Sequence, residues 1–252
     1  MIKFFRRIRQ RLLTENKFYK YLLYAFGEIV LVVIGILIAL QINNWNEEQK
    51  NKAIEQQLLI SLLQEFETNL TILTKTIETN TAIIEGSLEI GKFTGPSLPI
   101  ISEKEMSQNM VDAFKYVSRY VPNKGTYDEI NNSGKLSIIS DPSLRKAISE
   151  IQSQLELVKN QENSVIKIQN YTHQFFLNNG NFRRHLDIIE DALIDVDPSK
   201  FPNNDFIFLE NPEFETNLYL FIVMSTNLNT NFYLPLEEQT NLLIKQIRQN
   251  IE

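Results

Sequence analysis

Between residues 185 and 191, histidine and carboxylate side chains come closer to a metal-binding pattern than anywhere else in the chain. His185, Asp187, Glu190 and Asp191 follow one another closely, and His173 is the only other histidine. Residues two apart on a helix point to different sides, and no Glu-x-x-His pair of the di-iron type occurs. We therefore interpret this stretch as a solvent-facing helix surface and predict no metal site.

Phosphate-binding and thiol chemistry are equally poorly supported. Ser133-Gly134-Lys135 has the residue types of a phosphate loop but lacks its upstream glycine and its helix, so it is interpreted as a turn. The chain contains no cysteine, which excludes disulfides, cysteine-ligated zinc and thiol catalysis. We expect no catalytic residues and no cofactor.

One turn is the best candidate for recognition of a protein partner. It contains Tyr127, Asp128, Asn131, Ser133 and Gly134. Turns held by a rigid scaffold often carry binding residues, although helix capping would explain most of these residue types.

An acidic side chain lies within the most apolar part of the chain. Residues 29–40 carry no polar side chain, and Glu28 is the only charged residue between 21 and 46. Glu28 precedes Trp45 by 17 residues, or about 25 Å of helix, which places it about one turn inside a membrane border. Three interpretations remain open: snorkelling to the interface, an interhelical hydrogen bond, or ion coupling.

Residues around Glu28 also form a stripe that could pack against another helix. The stripe follows steps of 4, 3, 4, 3 and 4 and consists of Glu28, Val32, Gly35, Ala39, Ile42 and Asn46. Gly35-x-x-x-Ala39 is a pair of small residues that lets two helices approach closely. This pattern predicts homo-oligomerisation through the membrane helix.

These positions imply one transmembrane helix at residues 21–43. Residues 1–20 hold seven basic residues and one acidic residue, whereas residues 47–252 hold 18 basic and 29 acidic ones. Basic residues stay in the cytoplasm, so we expect a cytoplasmic segment at 1–20 and a domain on the far side at 44–252. The first 13 residues are either an amphipathic helix on the lipid surface or an ordinary basic tail. The basic charge lies outside the folded domain, which argues against nucleic acid as a partner.

Two sequence blocks resemble a family of Bacteroidota membrane proteins that is described as a domain of unknown function. The first runs from residue 1 through GEIVLVVIGILIALQINNWNE at residues 27–47, and the second is TYDEINNSGKL at residues 126–136. The resemblance implies a Gram-negative inner membrane and a periplasmic body. It implies no activity and no catalytic residues.

The remainder of the chain predicts an all-α protein. No Pro or Gly occurs between Asn46 and Gly86, so the anchor helix should continue without a break into an elongated antiparallel bundle. A heptad seam follows steps of four and three, and it could pack within the chain or between chains; it consists of Leu59, Leu63, Phe66, Leu70, Leu73, Ile77, Asn80 and Ile84.

Capping signals divide the rest of the body into helices. Capping boxes at Ser102-x-x-Glu105 and Thr126-x-x-Glu129 predict helices through about residue 120 and up to Gly134. Asp141-Pro142 predicts a long helix that ends at residues 179–180, with a stripe at steps of four and three that includes Glu162, Gln169, Thr172 and Phe176. Further helices are predicted at 182–196, from Asn211-Pro212 to about 232, and from Pro235 onwards.

The sequence favours a non-catalytic function. The first hypothesis is a membrane-anchored periplasmic helical module that binds a protein partner or senses a ligand. The alternative is a subunit of a membrane complex that uses Glu28 for ion flow or force transmission.

Overall fold

The computed structural model describes residues 18–97, 100–189, 194, 197–201 and 203–251. It is 82% helical, and the described residues contain no strand, which confirms the prediction of an all-α protein. The predicted amphipathic segment at residues 1–13 lies outside the described residues. The chain divides into two compact units, Met1–Gln57 and Leu58–Glu252. The predicted boundaries at residues 20 and 43 are membrane boundaries and stay predictions.

Helix α1, Phe18–Gly91, is the anchor helix. It continues past Asn46 without a break, as the absence of Pro and Gly predicts. Its N-terminal part is long and apolar enough to cross a membrane, and none of that stretch is buried inside the protein. Among the described residues it is the one candidate span.

The second unit is a helical bundle. Its capped helix starts agree with the sequence at Ser102, Asp141 and Asn211, whose side chains accept hydrogen bonds from the first helical turn. After α1 the helices are α2 Glu103–Phe114, α3 Gly125–Asn132, α4 Pro142–Asn179, α5 Phe182–Ile188, α6 Pro212–Leu228 and α7 Leu234–Asn250.

Helices α6 and α7 run antiparallel to both α4 and the part of α1 that lies in this unit. Along α1 the bonded pairs are Glu67–Arg248, Thr74–Glu237 and Asn80–Ser225. Along α4 they are Asp141–Asn250, Glu162–Tyr233 and Tyr171–Glu213. In both series the residue numbers of α1 or α4 rise while those of α6 and α7 fall. Since α1 and α4 are both antiparallel to α6 and α7, they run parallel to each other.

The heptad seam packs within the chain, but it is rotated relative to the prediction. Leu59, Phe66, Leu73 and Asn80 are buried as predicted, whereas Leu63, Leu70, Ile77 and Ile84 are only half-buried. The positions buried in their place include polar ones: Leu62, Asn69, Thr76, Ile83 and Ser87. Hydrophobicity alone misplaced the stripe because these polar side chains are buried with hydrogen bonds: Asn69 donates to Asn123, and Thr76 and Ser87 donate to carbonyl oxygens of the preceding turn of α1.

Helix α2 ends at Phe114, six residues earlier than predicted, and residues 115–124 form a non-helical strap. The amide of Gln169 on α4 donates to the carbonyl oxygens of Ala113 and Tyr116 at 3.0 and 2.9 Å. Since these carbonyls lie at the helix end, a buried side chain replaces their missing intrahelical partners. Val117 and Val121, which belong to the strap, are exposed.

The far end of the strap is held by two polar side chains of α1. Asn69 donates to the carbonyl of Asn123 and accepts from its N–H, both at 2.7 Å. The carboxylate of Glu65 accepts from the N–H groups of Thr126 and Tyr127 at 2.6 and 3.0 Å. The predicted Thr126-x-x-Glu129 capping box is therefore wrong, because α3 begins at Gly125 and Glu65 supplies its cap.

A buried carboxyl group joins the strap to two helices. Glu162 on α4 is 2% exposed and accepts from the N–H of Tyr120 and the hydroxyl of Tyr233, each at 2.7 Å. The Tyr233 hydroxyl also lies 3.2 Å from Ser118 Oγ. Burial raises the pKa of Glu162, and its hydrogen bonds oppose that rise.

Helices α6 and α7 are joined by a π-helical turn, Asn229–Tyr233, rather than by a loop. Pro235 has no N–H and would clash with the preceding turn of a regular helix, which a wider turn relieves. The Asn80 amide donates to the Ser225 carbonyl and to Asn229 Oδ1 at 2.9 and 2.8 Å, and so holds the turn against α1. The turn directs Tyr233 into the core.

Helix α5 ends at Ile188, whereas the sequence predicted a helix from 182 to 196. Ile189 already has an extended backbone. Glu190 and Asp191, two members of the cluster considered for metal binding, lie outside the described residues.

Candidate functional site

The residues of the predicted recognition turn are divided between the core and the surface. Tyr127 is buried, whereas Asp128, Asn131, Ser133 and Gly134 are exposed. Burial raises the pKa of the Tyr127 hydroxyl. Ser133 is the C-cap of α3, and Gly134 adopts a left-handed conformation with φ of 72°. Helix capping accounts for these two residues; a role in partner recognition stays a prediction.

The predicted packing stripe lies on α1 in the first unit. Val32 and Ile42 are exposed, and no atom lies within 4 Å of a Cβ built on Gly35. That open surface is compatible with close approach of a second helix. Packing by Glu28, Val32, Gly35, Ala39 and Ile42 stays a prediction.

The second unit contains a cavity that the sequence did not predict. It has a volume of about 670 Å³ and is lined by α2 and Lys115, the C-terminal part of α4, α5, and Ile189 and Ile194. Small-molecule sites are typically of this size and are mostly apolar. The described lining is apolar apart from two histidines and three polar side chains, Lys104, Gln108 and Lys115.

Stacked rings form one wall of this cavity. His173 stacks on Phe114 and Phe176, with centroid distances of 4.9 and 6.0 Å and interplanar angles of 5° and 8°. His185 meets Phe176 edge-on at 5.6 Å and stacks with Phe182 at 5.5 Å. Such contacts fix the orientation of each ring and so preform the wall.

Both histidines are poorly solvated. His185 is 5% exposed, so the prediction that it lies on a solvent-facing helix surface is wrong. Burial lowers the pKa of both imidazoles, and the neighbouring His173 lowers that of His185 further. Both rings are therefore neutral at pH 7. Nδ1 of His185 has no hydrogen-bond partner among the described residues.

Polar side chains line the cavity along α2 and at Lys115, the residue that follows it. Lys104, Gln108, Val111 and Lys115 follow one another at steps of four, three and four, and the three polar ones are exposed. The amide of Gln108 donates to the carboxylate of Asp112 at 3.0 Å. The described lining therefore combines an apolar interior with a polar edge.

A partly buried ion pair sets the position of α2 against α5. Glu103 accepts three hydrogen bonds from the Arg184 guanidinium and one from the N–H of Asn204 at 2.6 Å. The bond from Arg184 holds the pKa of the Glu103 carboxyl below its ordinary value. The Asn181 N–H also donates to Asn204 Oδ1, at 2.5 Å. These bonds tie together the helices that border the cavity.

The cavity has the size and the mostly apolar lining that are typical of ligand-binding sites. Within the described part of the chain, no three His, Cys, Asp or Glu side chains are grouped so as to hold a metal ion. Sequence reasoning missed the cavity because its rings come from α2 and from residues 173–185, which lie about 60 residues further along the chain. The sequence did contain one signal for the cavity wall: His173 lies between Thr172 and Phe176, two residues of the predicted stripe of α4.

Comparison with known proteins finds a family match. The model of DUF6090, a family of unknown function, matches residues 28–211. This range includes residues 28–47 of the first sequence block, the recognition turn and every described residue of the cavity lining. Neither a curated protein nor a solved structure matches the chain.

Proposed function

We propose that this chain, which belongs to the DUF6090 family of unknown function, is a membrane-anchored helical module that binds a small apolar ligand. It acts as a sensor or interaction protein and not as an enzyme. The apolar stretch of α1 is its anchor, and the cavity of the second unit is its ligand site.

The cavity of about 670 Å³ is the single observation that carries this proposal. A closely packed core leaves few voids larger than a water molecule, so a space of this size with preformed aromatic walls has the character of a binding site. Filling it would remove apolar wall surface from water, at roughly 25 cal/mol per Å².

The asymmetry of charge supports a location of the second unit in the periplasm. Seven basic residues precede the span, and Glu47 and Glu48 follow it. We expect activity from a reporter enzyme that works only outside the cytoplasm and is fused after Glu252. Activity of a cytoplasm-only reporter at the same position would reverse the proposed orientation.

Ligand binding is tested with the full-length protein in phosphatidylcholine nanodiscs and radiolabelled decanol as an apolar probe. We expect saturable binding above that of empty nanodiscs. Val111→Trp on α2 and Leu186→Trp on α5 each place a bulky side chain in the cavity lining and should abolish binding. Val223→Trp is the matched control, because Val223 is 63% exposed and lies outside the cavity. Equal binding by the filled variants and the control would contradict the proposal.

Ligand binding would be signalled to a protein partner or to a second copy of the chain. The small residues Gly35 and Ala39 on an open face of α1 support association through the membrane helix.

A further inference from the structure

We propose that the exposed edge of the strap, from Val117 to Val121, binds an extended segment of a partner protein in which apolar side chains flank a carboxylate. The partner segment adds to the strap as a second, antiparallel β-strand. This site goes beyond the proposed function and does not depend on the cavity, since residues 117–121 lie outside its described lining. Three features of the strap support it: its extended path, its unused backbone groups and the side chains that it exposes.

The strap follows the extended path of a β-strand. Ser118 and Tyr120 are 3% and 8% exposed, whereas their neighbours Val117, Arg119 and Val121 are exposed. Side chains that alternate in this way between the core and the solvent have the period of two that is typical of a strand. One face of the strap is therefore packed on the bundle and the other faces water.

The backbone bonds of the strap alternate in the same way. Side chains of α4 hold two even-numbered residues, at the carbonyl of Tyr116 and the N–H of Tyr120. A side chain of α1 holds an odd-numbered one, at both the N–H and the carbonyl of Asn123. In a strand, the backbone groups of successive residues point to opposite sides. These bonds agree with a strand that lies between α4 and α1.

The odd-numbered residues in the middle of the strap leave a row of backbone groups unused. Among the residues that the structure describes, none bonds to the N–H or the carbonyl of Val117, Arg119 or Val121. An extended row of unpaired N–H and C=O groups is a template for a further strand. Antiparallel pairing would use both groups of all three residues, because its hydrogen-bonded pairs recur at every second residue.

The exposed side chains specify the partner. Val117 and Val121 are 48% and 65% exposed and flank Arg119. The Arg119 guanidinium donates to Asn163 Oδ1 at 3.2 Å, which uses one of its five N–H donors. Its charge also acts on the Glu162 carboxyl, which is buried and already engaged inside the bundle. Since side chains directly opposite on paired strands interact, a carboxylate opposite Arg119 and apolar side chains opposite the valines give the most favourable pairing.

A second copy of the chain fits this edge poorly. Two straps paired antiparallel about a two-fold axis at the middle of the edge would place Arg119 opposite Arg119. Like charges directly opposite each other destabilise paired strands. The charge at the centre of the edge therefore favours a different protein, with an acidic residue at the matching position.

A short peptide tests the proposal. The probe is fluorescein-labelled TVTETVT, titrated with the full-length protein in phosphatidylcholine nanodiscs and followed by fluorescence anisotropy, with empty nanodiscs subtracted. We expect saturable binding. Methyl groups on the backbone nitrogens of both valines and the glutamate should abolish it, because those N–H groups face the strap. The matched control carries its methyl groups on the three threonines that follow the first, whose N–H groups face away, and should still bind.

A charge variant assigns the contact to Arg119. The wild type should bind TVTETVT about two- to fivefold more tightly than TVTQTVT, the effect of one exposed cross-strand charge pair. Arg119→Gln should bind the two peptides equally. Lys245→Gln is the matched control, because Lys245 is an exposed basic residue on α7, and it should keep the preference of the wild type.

Each way in which the proposal can fail gives its own result. Absence of saturable binding overturns it, as does equal weakening by the two sets of methyl groups. A preference for the glutamate peptide that survives in Arg119→Gln overturns it as well. Tighter binding of a peptide that copies residues 116–122 would make a second copy of the chain the occupant and overturn it. Decanol binding tests the cavity separately, so none of these results alters the proposed function.

Discussion

Replacement of Glu162 by Ala or by Gln separates two contributions of this buried side chain: its hydrogen bonds and its charge. The Glu162 oxygen accepts from the Tyr120 N–H and the Tyr233 hydroxyl, each at 2.7 Å. Ala removes the acceptor together with the charge. Gln keeps one side-chain oxygen at nearly the same place and removes only the charge.

The expected loss of stability for Glu162→Ala follows from the hydrogen bonds that each of the two donors retains. The Tyr120 N–H is left buried without a partner, which costs about 1–3 kcal/mol. Tyr233 keeps its contact with Ser118 Oγ at 3.2 Å, so its loss is about 0.5–1.5 kcal/mol. Relief of the buried charge offsets part of this, and the cavity left behind adds to it. We expect a net loss of about 2–4 kcal/mol in the free energy of unfolding, against less than about 1 kcal/mol for Glu162→Gln.

The pH dependence gives a second, independent measure. Because burial raises the pKa of Glu162 in the folded protein above the ordinary value of 4.5, the folded state holds its proton more tightly than the unfolded state. The resulting stabilisation is complete below the unfolded pKa and is lost as the pH rises through the folded pKa. Glu162→Gln removes this decline, so its stability relative to the wild type should increase over the same range of pH.

Guanidinium unfolding of the full-length protein in nonionic micelles, followed by circular dichroism, measures both effects. Glu156 provides matched controls, because it is exposed on the same helix and its Ala and Gln variants should change stability by less than about 0.5 kcal/mol. Equal destabilisation by Glu162→Gln and Glu162→Ala would refute the reasoning, because it would show that the charge itself holds the strap. So would a Gln variant with the same pH profile as the wild type.

Three further substitutions address packing and the membrane helix. Gly86→Ala should lower the free energy of unfolding by about 1–3 kcal/mol in the same measurement. Alanine would stabilise a helix at an exposed position, but here the new Cβ would lie 2.8 Å from Asp112 Cβ and 3.0 Å from the Ala113 nitrogen. Gly35→Ile should lower cross-linking between copies of the full-length protein in membranes, because it prevents close helix approach. Glu28→Gln should leave membrane insertion and decanol binding unchanged, as snorkelling or simple helix packing predicts.

Each of these three predictions has a result that would contradict it. Glu85→Ala, at an exposed neighbouring position, controls for Gly86, and equal effects would remove the steric explanation. Cross-linking of Gly35→Ile at the wild-type level would exclude association through the small residues. Loss of binding in Glu28→Gln at normal expression would favour the alternative in which Glu28 takes part in ion flow or force transmission.

Helix ends were predictable where the cap is local. Ser102, Asp141 and Asn211 accept hydrogen bonds from N–H groups two or three residues away, so residue type and spacing were sufficient. The predicted end of the long helix at residues 179–180 also agrees with α4. The N-terminus of α3 was not predictable, because its cap comes from Glu65, about 60 residues earlier.

Buried polar residues were the main source of error. Periodicity placed Glu162 and Gln169 on the inner face of α4, and both are buried. It could not say what they bind, because their partners include backbone groups of residues 113–120, at the end of α2 and in the strap. The rotated seam of α1 has the same cause, since Asn69 is buried where it exchanges two hydrogen bonds with the backbone of Asn123.

The sequence by itself determined the all-α class, the single apolar stretch of α1 and most of the helix starts. These features depend on interactions within a few residues of one another, on composition and on the spacing of apolar side chains. The strap, the buried state of His185 and the cavity were decided only by the tertiary structure. Each of them arises where segments 40 to 100 residues apart meet and exchange hydrogen bonds or ring contacts, as Glu103 does with Arg184 and Asn204. No local pattern specifies which distant groups will meet, because burial of a polar or aromatic side chain becomes favourable only when its partner is in place.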